Sequence, residues 1–172
     1  MERTIVIDAR DYEAWLLKLA QEKIPEAMER GAVSGAARCI PLLHTATDTA
    51  PPANPSGKGS GGAFSSGKYK SMWRSRPIRG GAQVFNDASY AAVIEEGRRP
   101  GAKGPPFTPD VIAGWAQRRL GLSAKEAKNA AFAIRRAIKV RGLRARKVLT
   151  TSIPKMTDVV LEEIVRELER AW

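Results

Sequence analysis

A chain of 172 residues, 43% hydrophobic and 27% charged, is long enough for one domain that buries roughly two-thirds of its unfolded surface. One cysteine, Cys39, and one histidine, His44, cannot build a disulfide framework or a zinc site, which removes redox and zinc catalysis from consideration. The net charge of +11 is concentrated, because between positions 111 and 150 eleven Lys and Arg stand against the single acid Glu126; such a patch predicts an acidic partner, either nucleic acid or the acidic surface of another protein.

The opening "MERTIVIDARDYEAW" lacks the basic start and apolar core of a signal peptide, and no window approaches the ~18 apolar residues of a membrane span. A soluble protein made in a cytoplasm, with no membrane partner, is expected. Thr4 to Asp8 reads as a short strand from its β-branched residues. From Tyr12 the pattern turns helical: Tyr12, Trp15, Leu16 and Leu19 form one apolar stripe. Ile24, Met28, Gly31, Gly35, Cys39 or Ile40, Leu43 and Thr47 continue it to about Thr49. Pro25 fits the first turn of a new segment, and Pro41 is expected to kink the helix beyond it. The small residues from Gly31 to Ala37 favour helix weakly and invite a second backbone to come close.

Residues 51–67 have the Gly, Ser and Pro content of a flexible loop. Residues 72–85 read as a hairpin turning at Gly80 and Gly81, with Pro77 on an edge strand. Thr108, Pro109 and Asp110 cap and start a helix with Val111, Ile112, Trp115, Ala116 and Leu120 as its buried face. Ser123 and Glu126 form a capping box for a second helix ending near Val140, with Gly142 as the stop. "LRARKVLTTSI" returns to extended character, and Pro154 is expected to open a final helix with Met156, Val160, Ile164, Leu168 and Trp172 at four-residue steps. These elements imply an α+β fold class: a small antiparallel sheet, built on the hairpin, packed against a long N-terminal helix and a C-terminal amphipathic helix. One domain spans 1–172, with a basic helical pair at about 108–141.

No motif carries catalysis. "GAFSSGK", residues 62–68, matches seven positions of a phosphate-binding loop, but Tyr69 stands where a Ser or Thr hydroxyl must bind magnesium. Cys39 and His44 lie five apart, off a shared helical face, and no nucleophile, base and oxyanion site converge. The chain is not expected to be an enzyme or to need a cofactor or metal. Within the basic pair, Lys125, Lys128, Arg135 and Lys139 make one helical stripe, suited to backbone phosphate or a row of carboxylates; Arg136, Arg141, Arg144 and Arg146 extend the patch. The helix, short turn and capped helix also have the layout of a helix-turn-helix DNA reader, although base-reading side chains are scarce beyond Asn129.

The order of features resembles one family. A long helix ending in "TAPP", a loop ending in "SGKYKSMW", a hairpin, "YAAVIEEGRRPG" with "PPFTPD", and "IKVRGLRARKVL" before a last amphipathic helix are similar to the tail-completion, or minor tail protein Z-like, family of bacteriophage head-tail joining proteins. Tyr90, Ala91, Glu95 and Gly97 match that family's tyrosine-alanine, three residues, glutamate, any residue, glycine; Arg98 stands where the family has threonine. The resemblance implies a structural protein of the virion neck or tail end, present in the host cytoplasm during assembly. It would form a ring, a hexamer, at the head-tail junction, against the tail tube and the head-tail connector. Genomic DNA in the channel is a further partner, bound without sequence preference. Tyr90, Glu95, Gly97, Arg98 and Arg99 become the expected assembly residues, with Glu95 paired to an arginine of its own or the adjacent subunit. The alternative function is a helix-turn-helix DNA-binding regulator using residues 108–141.

Overall fold

The structure, a computed structural model, describes residues 9–52, 67–103 and 107–171. The strand expected at Thr4 to Asp8, most of the flexible loop expected at 51–67, and Trp172 lie outside the described residues. Helix α1 (Ala9–Lys18) runs through a π-turn (Leu19–Lys23) into α2 (Ile24–Thr49). The π-turn immediately precedes Pro25, whose missing amide weakens the ordinary i→i−4 ladder, and the Ile24 amide reaches back to the Leu19 carbonyl instead. Pro41 sits at an exposed position inside α2 and does not end it. After a single turn, α3 (Lys68–Ser71), strands β1 (Trp73–Ile78) and β2 (Gly81–Asn86) form a two-stranded antiparallel sheet, with Trp73 opposite Asn86 and Ile78 opposite Gly81. Gly80 alone takes a left-handed φ at the turn, 75°. Helices α4 (Ala91–Glu96), α5 (Pro109–Leu120), α6 (Ala124–Arg141) and α7 (Val148–Ala171) complete the chain. The α+β class expected from the sequence is what the structure has.

The central packing is α2 against α7, antiparallel. Ala27, Gly31, Gly35, Cys39, Leu43 and Thr47 are buried at four-residue steps along α2. A methyl group placed on Gly31 would lie 2.5 Å from Ile164 Cα, and one on Gly35 2.8 Å from Val160 Cα. The small-residue run therefore admits a second backbone, as its composition suggested. The buried row passes through Ala27 and leaves Met28 47% exposed, because backbones this close accept only the smaller side chain. Trp15 and Leu16, expected to share a buried stripe with Leu19, are exposed, whereas Leu19 is buried.

Two buried clusters form on this frame. One gathers Leu43, Ala50, Tyr69, Trp73, Ala88, Ile94 and Val148, each large aliphatic member contributing about 1.5–3 kcal/mol by leaving water. Trp73 Nε1 donates to Thr47 Oγ1 (3.0 Å), which donates to the Leu43 carbonyl (2.7 Å), so the indole is buried with its polar atom satisfied. Tyr69 packs edge-on to Trp73 and beside Tyr90, and Tyr90 packs on Phe107. The second cluster is the α5/α6 seam of Ile112, Ala113, Ala116, Ala127 and Ala131, and Phe107 touches both clusters. Of the face expected on α5, Ile112 and Ala116 are buried, whereas Val111, Trp115 and Leu120 are 53%, 37% and 53% exposed. Alanines on α6 bring the two helices so close that the seam takes Ala113 in place of the larger side chains.

Among the described residues Glu163 is the one acid buried on α7, only 3% exposed. The Arg38 guanidinium and the Ser34 hydroxyl (3.1 Å) donate to it across the α2/α7 interface, and Arg166 does so from its own helix (2.5 Å). These donors, Arg38 first, hold its carboxyl below the ordinary 4.5. A lowered folded value means the contribution to stability is complete above the unfolded value and disappears as pH falls through the folded one. Glu163→Gln should therefore melt a few degrees below the parent at neutral pH, with the difference closing as pH falls below the ordinary carboxylate value and through the lowered one; thermal melts from neutral to acid pH check it.

Candidate assembly interface

The stretch from Tyr90 to Gly101 is a junction between distant parts of the chain. α4 buries Ile94, and the carbonyls at its C-terminal end, Ile94 and Glu95, accept from the Arg146 (2.9 Å) and Lys147 (3.2 Å) amides. Glu95 then reaches the start of α7: its carboxylate accepts from the Leu149 amide (3.0 Å), the Thr150 amide (2.7 Å) and the Thr150 hydroxyl (2.7 Å). The first amides of a helix lack intrahelical partners and sit at the positive end of its dipole, so a carboxylate there both caps and neutralises. Within the chain, among the described residues, this cap stands where an arginine partner for Glu95 was expected. The same contact explains why α7 begins at Val148, six residues before Pro154. The extended character expected from Leu143 onward stops at Lys147, because Glu95 satisfies the amides that an earlier helix start would otherwise leave bare.

Gly97 comes next, at φ 77°, ψ −162°, a region open essentially to glycine alone. A methyl group there would lie 2.5 Å from the Ala145 amide nitrogen and 2.6 Å from the Leu143 carbonyl oxygen. Gly142, which stops α6, takes a matching φ 74°, ψ −166° against the Arg98 carbonyl and Pro100. Between the two glycines Arg98 and Leu143 exchange both backbone hydrogen bonds at 2.8 Å. The Arg98 guanidinium donates to the carbonyls of Ala102 (2.8 Å) and Lys103 (3.1 Å), so it shapes its own loop instead of standing free for an assembly contact. Tyr90, half-buried between Tyr69 and Phe107, is likewise an internal anchor.

The basic patch divides among three places. Lys125, Lys128, Arg136 and Lys139 lie on the exposed side of α6, whereas Arg135 is half-buried at its margin. Arg141 and Arg144 join Arg98 and Arg99 around an open groove of about 700 Å³, bringing together residues that the sequence placed in separate sets. Arg146 is tucked beneath, and burial pushes its guanidinium below the ordinary value. Tyr69, at the eighth position of the phosphate-loop spacing, is 1% exposed in the core and takes no part in a nucleotide site. Cys39 is fully buried, its thiol pushed up by burial.

Three features escaped the sequence reading. Glu163 is a buried interface acid. Phe132 and Val140 stand 63% and 65% exposed within the basic face of α6, and Leu161 and Val165, 55% and 53% exposed, lie on the outer side of α7. The outer α7 row was legible in the i, i+3, i+4, i+7 spacing of Asp158, Leu161, Glu162 and Val165. Among the described residues no group of three or more His, Cys, Asp or Glu could hold a metal ion, and no helix is long and apolar enough to cross a membrane. No protein-family model, curated protein or solved structure matches the chain.

Proposed function

We propose that the protein is a structural subunit of a tailed-phage neck or tail end, a tail-completion or head-tail joining protein that works as a ring. The observation that carries this reading is the set of large apolar side chains left exposed on the outer sides of helices: Phe132 and Val140 on α6, Leu161 and Val165 on α7. Scattered exposed apolar residues are ordinary on a monomer, whereas rows set among charges mark surfaces that other proteins cover. The resemblance carried by Tyr90, Glu95 and Gly97 supports the same reading, since each has a structural task. Tyr90 anchors, Glu95 caps α7 and Gly97 lets two loops cross, so together they make a stiff junction that holds the outer helices at fixed angles.

In this role the protein catalyses nothing. Its work is geometric: to present complementary surfaces whose repetition closes a circle, and to meet the tail tube on one side and the connector on the other. Negative-stain electron microscopy of the purified protein, with mass spectrometry of purified virions, tests it. Closed rings and incorporation into the particle are expected. A monomer that shifts one DNA sequence selectively at nanomolar concentration would instead assign residues 108–141 to a helix-turn-helix regulator and overturn the reading.

A further inference from the structure

The outer faces of α6 and α7 are opposites in charge and alike in layout. On α6, Lys125, Lys128, Phe132, Arg136, Lys139 and Val140 share the side turned away from α5, at spacings that return to one face of a 3.6-residue helix. Among the described residues none of these four cations is ion-paired within the chain, and the acid of this helix, Glu126, is held in its own capping box. On α7, Asp158, Leu161, Glu162, Val165 and Glu169 share the side turned away from α2, all exposed, and Lys155 lies on the same side at its N-terminal end, so the face is acidic from Asp158 onward. Its three acids have no ion-pair partner among the described residues either, whereas the inner acids Glu163 and Glu167 are matched with arginines. Each face has an apolar centre, Phe132 on α6 and Leu161 with Val165 on α7, and charges beside it, the anatomy of a protein interface. The basic row from Lys125 to Lys139 is about 21 Å long and the acidic row from Asp158 to Glu169 about 16 Å, at about 1.5 Å per residue. Exposure of both shows that they do not meet within one chain.

We infer that the α6 face of one copy docks on the α7 face of the next, an inference that rests on the ring reading and names its subunit contact. An aromatic centre distinguishes the α6 face from a phosphate-tracking surface: Phe132 against Leu161 and Val165 leaves water, while lysines and arginines flank it opposite Asp158, Glu162 and Glu169. Because the two faces differ, the contact is heterologous, and repeating it generates a closed ring or an open helix according to the rotation per step. The charges set register and partner choice, and the apolar centre supplies the attraction.

Charge reversal on either face tests the pairing. Lys128→Glu with Arg136→Glu, and separately Asp158→Lys with Glu162→Lys, replace exposed residues and should leave the far-ultraviolet circular dichroism of the chain unchanged. Each pair of changes places like charges opposite one another and should weaken self-association at least about tenfold in sedimentation velocity. The chain carrying all four substitutions should assemble again. Rings that persist unchanged in both single-face variants would overturn this contact while leaving the ring reading intact; a parent chain that stays monomeric would overturn both. Loss of DNA retention by the α6 variant with unaltered assembly would also overturn it, giving the face to nucleic acid.

Discussion

Gly97→Ala is expected to cost about 3–5 kcal/mol, a large part of the ~5–15 kcal/mol that holds a domain together. The parent backbone there has φ 77° and ψ −162°, and an alanine held in that region carries strain of roughly 1–3 kcal/mol. Its methyl group would also press on the Ala145 amide nitrogen and the Leu143 carbonyl oxygen at 2.5 and 2.6 Å. Both are backbone atoms, the Leu143 carbonyl held by the Arg98 amide and Ala145 held beside Arg146, whose amide donates to Ile94, so relief requires the loops to part, and overpacking of that kind adds about 1–3 kcal/mol. Two other glycines separate the contributions. Gly80 has φ 75° with nothing within 4 Å of an added methyl group, so Gly80→Ala should show the left-handed penalty alone, about 1–2 kcal/mol. Gly81 has neither a left-handed φ nor a neighbour within 4 Å, so Gly81→Ala should be close to neutral. Urea unfolding of the three variants should rank them Gly81, Gly80, Gly97 in increasing loss. A Gly97→Ala variant as stable as the parent would mean that the two loops do not cross as described.

Gly31→Ala sets two effects of opposite sign against each other. In an isolated helix, alanine is better than glycine by about 1 kcal/mol. Within the fold, the added methyl group would lie 2.5 Å from Ile164 Cα, 2.9 Å from its amide nitrogen and 3.0 Å from the Glu163 carbonyl oxygen. All three are main-chain atoms of α7 and cannot rotate away, so the helices must separate. Separation would loosen the Arg38 and Ser34 contacts to Glu163 and open the seam through Gly35 and Cys39. Steric cost should win, with a net loss of about 1–2 kcal/mol once the helix gain is subtracted, read by thermal melting. A peptide of α2 alone carrying the same change should become more helical in circular dichroism. A rise in the melting temperature of the whole protein would show that the α2 and α7 backbones are not in contact.

Legibility in the sequence tracks the range of the forces involved. Thr108 accepts from the Val111 amide, Ser123 and Glu126 close a reciprocal capping box, and Gly142 ends α6; each depends on atoms within a few residues, so residue type and spacing suffice. The seam was visible for a similar reason, because a run from Gly31 to Ala37 is a poor helix unless another backbone covers it. The misjudged positions are those where a choice among neighbours was left to packing. Ala27 is buried and Met28 is not; Ala113 is inside and Trp115 partly outside. Periodicity allows either residue, and the closeness of the facing helix selects the smaller.

Glu95 shows the boundary most clearly. Its place after a short apolar run and before Gly97 marked it as a residue with a task, and an arginine was the natural partner to expect for a carboxylate. Its actual partners, the Leu149 amide and Thr150, are 54 and 55 positions away. No local pattern encodes that the start of α7 would arrive beneath α4. The amino-acid order alone determined the helix caps, the hairpin, the small-residue seam and the concentration of positive charge, since these are settled by hydrogen bonds and sterics acting over one or two turns. Tertiary packing decided which side of each helix is buried, what Glu95 holds, and that basic and acidic rows end on opposite outer faces, since each depends on chain segments brought together only when the core closes.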